Sequence, residues 1–226
     1  MTLITEKNEA STLVELALAK LRQDILTGVF APGSKLRVEE LRNSYDIGAS
    51  PLREALSRLV SNGLVTAQGQ KGFRVAPVSL ADIRDITDTR KLLEHAALSD
   101  SLRNGDADWE AEIVVAYGRL DREHQAVQKT SGASIEVWEQ ANENFHDTLV
   151  SACTSKWLLN FRQIVYDQAA RYRRLVILND EQEQGAHEEH RQMLAAAKAR
   201  DVEESCRLAD AHAERTFNLM ADRFSD

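Results

Sequence analysis

Proline is scarce in this chain, and its placement divides the chain in two. Among 226 residues there are three prolines, Pro32, Pro51 and Pro77, so residues 78–226 hold none. A stretch that long without proline can be helical from end to end. Six of the ten glycines also lie before residue 78. Cysteine is nearly missing: Cys153 and Cys206 are too few for a disulfide scaffold, and idle thiols in a reducing cytoplasm are the default. No apolar run approaches the roughly 18 residues of a membrane helix, and Met1 to Ala10 has no signal-peptide pattern. These absences exclude a helical membrane protein and a disulfide-stapled secreted one. Hydrophobic content of 43% and charged content of 28% describe instead a globular, cytoplasmic chain with one large or two ordinary domains.

Positive charge is also short, at a net −8, but unevenly so. Residues 1–77 carry ten Lys/Arg against eight Asp/Glu, and residues 78–226 carry eighteen against twenty-eight, giving +2 and −10. A modestly basic module on an acidic body confines attraction for phosphate to one part of the molecule. The same figures disfavour a non-specific DNA-compacting protein. Two domains follow, 1–77 and 78–226, with Pro77 as the linker.

Residues 1–10 read as frayed and polar. Ser11 to Thr27 reads as an opening helix with Leu13, Leu16, Ala17, Leu21 and Ile25 on one face, ended by Gly28. Leu36, Val38, Leu41 and Tyr45 then space a short helix. The turn Asp46-Ile47-Gly48-Ala49 follows, with Gly48 able to take a positive φ. Ser50 is expected as N-cap and Pro51 at the first helical position, where no N–H is needed. Leu52, Ala55, Leu56, Leu59 and Val60 continue the stripe to Asn62-Gly63. Leu64–Ala67 and Phe73–Val75 are strand-like around a turn with a basic tip, Lys71-Gly72. Two helices at a tight turn followed by a hairpin is the plan of a winged helix-turn-helix, whose second helix enters the major groove. Arg53 sits in the first turn of that helix, where a cation opposes the macrodipole. A phosphate or guanine edge would compensate it; so would pairing with Glu54 or Asp46 on a solvated surface.

The run Gly28–Leu36, the segment Pro51-Leu52-Arg53-Glu54-Ala55-Leu56-Ser57-Arg58-Leu59 and Gly63-Leu64-Val65 together resemble the GntR family of bacterial transcription regulators. With that resemblance, the candidates for DNA contact are Ser50, Pro51, Arg53 and Arg58, with Lys71 and Gly72 at the wing and Arg37, displaced by two positions, as a stand-in for the family's Arg at the Glu39 position. Two departures bear on operator choice: the family often carries Arg where this chain has Glu39 and Ala49.

The second domain reads as six helices: from Ser79 to about Arg103, Asp108 to Lys129, Ser134 to about Cys153, Lys156 to Leu178, Glu181 to Arg200 and Asp201 to Phe224, with a loop at Thr130-Ser131-Gly132. The fold class is thus mainly α, a winged helix-turn-helix with a small β-hairpin followed by an antiparallel all-α bundle. Asn142 and His146 are four apart and share a helix face, while His190 and His212 fall on the last two helices. Three imidazoles and a carboxamide from three helices can meet at a bundle centre, where neutral imidazole suits a divalent ion such as Zn or Ni. Phe145, Leu149, Met193, Leu194 and Leu219 supply apolar walls. On spacing alone, a helical histidine is more often a packed or surface residue than a ligand. His95, His124 and His187 read as packing or surface residues, His187 being the nearest rival to His190.

This arrangement is similar to the FCD effector domain of the FadR branch of the family, which implies Asn142, His146, His190 and His212 as metal ligands and Arg90 facing the cavity. Asn142 stands where Asp is commoner, leaving a bound ion its full charge and favouring a small carboxylate effector. Arg171 and Tyr172 are offered as a second anion contact, with a basic patch or dimer contact as the alternative. Gly33-Ser34-Lys35-Leu36-Arg37, Tyr45, Gln70-Lys71-Gly72 and Ala169–Arg173 are most similar to the carbon-starvation-induced, glutarate-responsive type within that branch. The expectation is a homodimeric repressor on a near-palindromic DNA operator. The rival is a metal-dependent hydrolase or lyase, which lacks an evident general base beside the ligands.

Overall fold

The computed structural model of the protein describes residues 2–129, 135–175 and 180–224. It falls into two compact units, Met1–Ile83 with Asp167–Leu175, and Arg84–Tyr166 with Val176–Asp226.

In the first unit, helix α1 (Thr2–Leu26) precedes strand β1 (Lys35–Leu36), helices α2 (Val38–Tyr45) and α3 (Ala49–Ser61), strand β2 (Val65–Ala67), a 3₁₀ turn (Gly69–Lys71) and strand β3 (Phe73–Val75). The strands form one antiparallel sheet in the order β1-β3-β2, with Leu36 opposite Phe73 and Thr66 opposite Arg74. Ala17, Leu21 and Ile25 of α1 pack on Leu52, Leu56 and Leu59 of α3 and on Leu64 and Val75, closing a dry core. This is a winged helix-turn-helix.

Several details differ from expectation. The helix α1 extends back to Thr2, and its buried stripe runs Val14, Ala17, Leu21, Ile25, leaving Leu13 40% and Leu16 46% exposed. Leu36 belongs to a strand rather than to α2. Ser50 is not the N-cap: α3 starts at Ala49, Gly48 caps it in an extended conformation (φ −60°, ψ 157°), and no side chain caps its N–H groups. Pro51 is then the third helical residue, still within the turn whose N–H groups lack helical partners. The positive φ in the turn falls on Asp46 (φ 56°) rather than Gly48.

At its other end α3 closes in a Schellman motif. Leu64 N donates to Leu59 O at 3.1 Å and Gly63 N to Val60 O at 3.1 Å, and Leu59 and Leu64 are both fully buried. Gly63 takes φ +72°, and a Cβ there would meet Gln168 Nε2 at 3.2 Å. Asp167, Gln168 and Arg171 tie the 167–175 segment to the rest of this unit. Asp167 accepts from Arg22 at 2.8 Å, Gln168 donates to Asn62 O at 2.7 Å, and Arg171 donates to the carbonyls of Ala76 and Pro77.

The second unit is built from helix α4 (Leu80–Asn104) beyond Ile83, α5 (Ala107–Lys129), α6 (Ile135–Leu149), α7 (Lys156–Leu175) up to Tyr166, α8 (Asp180–Lys198) and α9 (Val202–Phe224). The loop expected at Thr130–Gly132 and the helix end expected at Leu178 lie outside the described residues. Caps appear where small polar residues allowed them: Ser79 Oγ accepts from Asp82 N, Asp106 from Trp109 N and Ser155 from Leu158 N. Leu98, Leu102, Trp109, Ile113, Leu120, Trp138, Phe145 and Leu149 form the core. Cys153 and Cys206 are buried free thiols.

Replacing Gly63 by Ala should destabilise the protein by about 1–2 kcal/mol, because a Cβ at positive φ is strained and the Gln168 amide must retreat. Urea denaturation followed by circular dichroism would register it as a lower midpoint with an unchanged slope.

Candidate functional site

The exposed edge of the winged head carries the first set of polar residues. On α3, Ser50, Arg53, Glu54, Ser57 and Arg58 face solvent, whereas Leu52, Ala55, Leu56 and Leu59 are buried. Arg37 pairs with Glu40 at 2.6 Å, and Arg58 with Glu15 at 2.6 Å and Glu54 at 2.8 Å. Exposed pairs of this kind are worth about 0–1 kcal/mol and exchange readily for a phosphate. Arg53 forms no ion pair among the described residues, so pairing with Glu54 or Asp46 does not account for it. As the fifth residue of α3 it stands beyond the first turn, which weakens the macrodipole argument and leaves exposure as the reason to single it out. Lys71 and Gly72 sit at the tip of the wing, with Gly72 at φ +87°.

The second set is buried. His146 from α6, His190 from α8 and His212 from α9 converge, their candidate ligand nitrogens all within 4.8 Å of one another. His146 Nε2 and His190 Nε2 lie 3.2 Å apart, and all three residues are at most 5% exposed. Phe145 meets the rings of His146 and His190 edge-on at 5.6 Å, forming an apolar wall. Asn142, one turn before His146, is 2% exposed; its Nδ2 donates to Tyr166 Oη at 3.2 Å, and its Oδ1 is buried without a hydrogen bond. An unanswered buried carbonyl oxygen is costly, and one helical turn from His146 it suits a cation.

The surrounding charges are ordered. His212 Nδ1 shares a proton with Glu189 Oε2 at 2.7 Å, which directs Nε2 away from that carboxylate, and Glu189 pairs with Arg215 at 2.6 Å. This is the carboxylate–histidine orientation found behind metal ligands. Arg162 donates to Glu94 at 3.1 Å, to Asp147 at 2.6 Å and to His146 O at 3.1 Å. Arg90 lies 3.6 Å from Glu94 and 4.9 Å over the Tyr166 ring. A small cavity of about 10 Å³ is lined by Arg90, Glu94, Leu98, His146, Leu149, Met193, Ala209 and His212, room for one water or ion.

Sequence reasoning named Asn142, His146, His190, His212 and Arg90; the structure converges His146, His190 and His212, puts Arg90 on the cavity that His146 and His212 line, and leaves Asn142 one turn from His146 with its Oδ1 buried. It missed Glu94, Arg162, Tyr166 and Glu189, whose only signal was their helical spacing from the named residues. Arg171 and Tyr172, expected as a second anion contact, are not among the cavity residues. Arg171 is 3% exposed and holds the Ala76 and Pro77 carbonyls; the Tyr172 hydroxyl donates to Asp82 at 2.5 Å and accepts from Ser79 N at 3.0 Å. Burial and the Asp82 contact push the Tyr172 phenol up to about 12. His187 stacks on His124 at 4.4 Å instead of joining the cluster, and His95 pairs with Asp210.

Burial first, then the neighbouring His212 and His190, hold His146 well below the ordinary histidine range; burial likewise lowers His212 against the pull of Glu189. The folded chain therefore keeps these rings neutral, while the unfolded chain takes up protons below about pH 6.5. Stability should be full above that pH and fall as the pH drops through it. Urea titrations with EDTA at pH 7.5 and pH 5.5 would show the lower midpoint at pH 5.5, with a smaller difference in a His146→Asn, His212→Asn variant.

Comparison with known proteins follows the same division. The family model for bacterial regulatory proteins of the gntR family matches residues 13–75, and that for the FCD domain matches residues 85–215. An uncharacterized HTH-type transcriptional regulator, BphR of Paraburkholderia xenovorans (strain LB400), is 42% identical over 92% of this chain and 85% of its own. The HTH-type transcriptional repressor GlaR of Escherichia coli (strain K12) is 37% identical over 85% of this chain and 88% of its own. Among solved structures, McbR/YncC of E. coli shares the fold with a TM-score of 0.82 at 19% identity, covering 94% of this chain and 98% of that one. These relatives are regulators, not enzymes, which sets the hydrolase or lyase reading aside. With a groove-reading head and an imidazole-bearing helical unit on one chain, the protein belongs to the GntR family of DNA-binding transcription regulators and carries an FCD domain.

Proposed function

We propose that the protein is a cytoplasmic, ligand-responsive repressor that binds a near-palindromic operator as a homodimer, and whose FCD domain takes a divalent ion and a small carboxylate. The observation that carries the effector half is the convergence of three buried imidazoles, with the orphaned Asn142 Oδ1 one helical turn from His146. Asn142, His146, His190 and His212 would hold the ion, Zn or Ni by the softness of imidazole. A divalent ion held by four neutral ligands supplies two uncompensated positive charges, to which a carboxylate oxygen can bind. Glu189 orients His212, Tyr166 orients Asn142, and Arg90 offers a guanidinium to the acid. Resemblance to the glutarate-responsive type makes a dicarboxylate the first ligand to try.

In the head, Arg53 on α3 is assigned to a base edge or phosphate, with Ser50, Pro51, Arg37 and Arg58 beside it and Lys71 and Gly72 on the wing. Twofold symmetry of the protein demands twofold symmetry of the DNA. That the relative GlaR is a repressor supports repression relieved by ligand, and a ligand moves that equilibrium only through its affinity difference between the two states.

Arg53→Ala should weaken operator binding by about 1–3 kcal/mol in a gel-shift titration. An unchanged affinity would remove Arg53 from the interface. Elemental analysis should find one divalent ion per chain, lost in a His146→Ala, His190→Ala variant. Calorimetry with mono- and dicarboxylates should give heat only with metal-loaded protein, and indifference to the whole panel would overturn the effector reading.

A further inference from the structure

Glu94 lies inside the helical unit and is 6% exposed. One of its oxygens, Oε2, accepts from Arg162 Nε at 3.1 Å. The other, Oε1, is buried without a hydrogen bond and lies 3.6 Å from Arg90 Nε, beyond hydrogen-bond reach yet well inside ion-pair range. Glu94, Arg90, His146 and His212 line the same cavity.

We propose that Glu94 is a built-in competitor for the effector: its carboxylate neutralises Arg90 in the ligand-free chain, and an incoming acid must take Arg90 from it. The inference rests on the carboxylate-effector reading above and names the residue that sets selectivity within that site. Arg162 holds the other Glu94 oxygen and is itself anchored to Asp147 and His146 O, so Glu94 stays in place and charged when an acid takes Arg90. Burial alone would favour the neutral acid, but Arg162 and Arg90 together hold Glu94 below the usual carboxylate range, so it stays charged. A fixed negative charge beside the cavity repels every acid, and the more strongly the less water lies between them. Glu94 thereby raises the threshold for all anions, so that only an acid able to engage both the ion and Arg90 prevails.

The test compares wild type with Glu94→Gln, both Zn-loaded, titrated with succinate, glutarate and the matching neutral diamides. In the variant the acids should bind at least tenfold more tightly while the diamides stay unchanged. Acids that bind the variant no better than wild type, or diamides that gain as much as the acids, would overturn the proposal. Should Glu94→Gln fail to fold, Glu94→Asp keeps the charge but withdraws it from Arg90 by one methylene. A smaller tightening for acids alone then supports the proposal, and unchanged affinity sinks it. If wild type binds acids and the variants match it, only the role of Glu94 falls. If neither wild type nor variant binds any acid, the effector reading falls with it.

Discussion

A guanidinium sealed inside a helical bundle must be answered by charge, and Arg162 is the point on which the second unit turns. Its three donors, projecting from α7, reach Glu94 on α4 and both the Asp147 side chain and the His146 carbonyl on α6. Removing one partner of such a buried pair typically costs about 3–5 kcal/mol, so these three helices are held in one register. Because Arg162 grips the backbone of His146 itself, the same register sets where that imidazole points. Specific positions for the neutral cluster thus come from charged groups around it.

Much of the head was legible because its signals are local. The Asn62-Gly63 stop, the hairpin strands and the buried stripe of α3 are each settled by neighbours a few residues away. The start of α3 was not, since the N-cap position falls on Gly48 in an extended conformation and the helix begins without the side-chain cap that Ser50 was expected to supply. In α1, two apolar stripes fit a period of 3.6, one through Leu13 and Leu16 and one through Val14; only packing against α3 chooses between them. The strand β1 has two residues and no periodicity to read.

In the second unit, spacing could nominate Asn142, His146, His190 and His212 but could not say that helices 44 residues apart bring their nitrogens to 3.2 Å. The charged support was harder still. Nothing in the sequence marked Arg162, Glu94 and Glu189 as buried, because such residues are seldom buried unless paired, and pairing is a property of the fold. Arg171 and Tyr172 misled for a related reason. Their helix looks like any bundle helix in sequence, yet their partners are the carbonyls and caps of residues 76–82, ninety or more positions away.

The hollow beside the histidines has room for about one water or ion, and a carboxylic acid is several times larger. No such guest can be admitted while Leu98, Leu149, Met193 and Ala209 stay where they are. Binding of the proposed acid would therefore require a shift of α4, α6, α8 or α9, and part of its binding energy would be consumed in parting the walls. A receptor with a roomy vestibule could fill without altering shape; one this tight cannot be filled in silence.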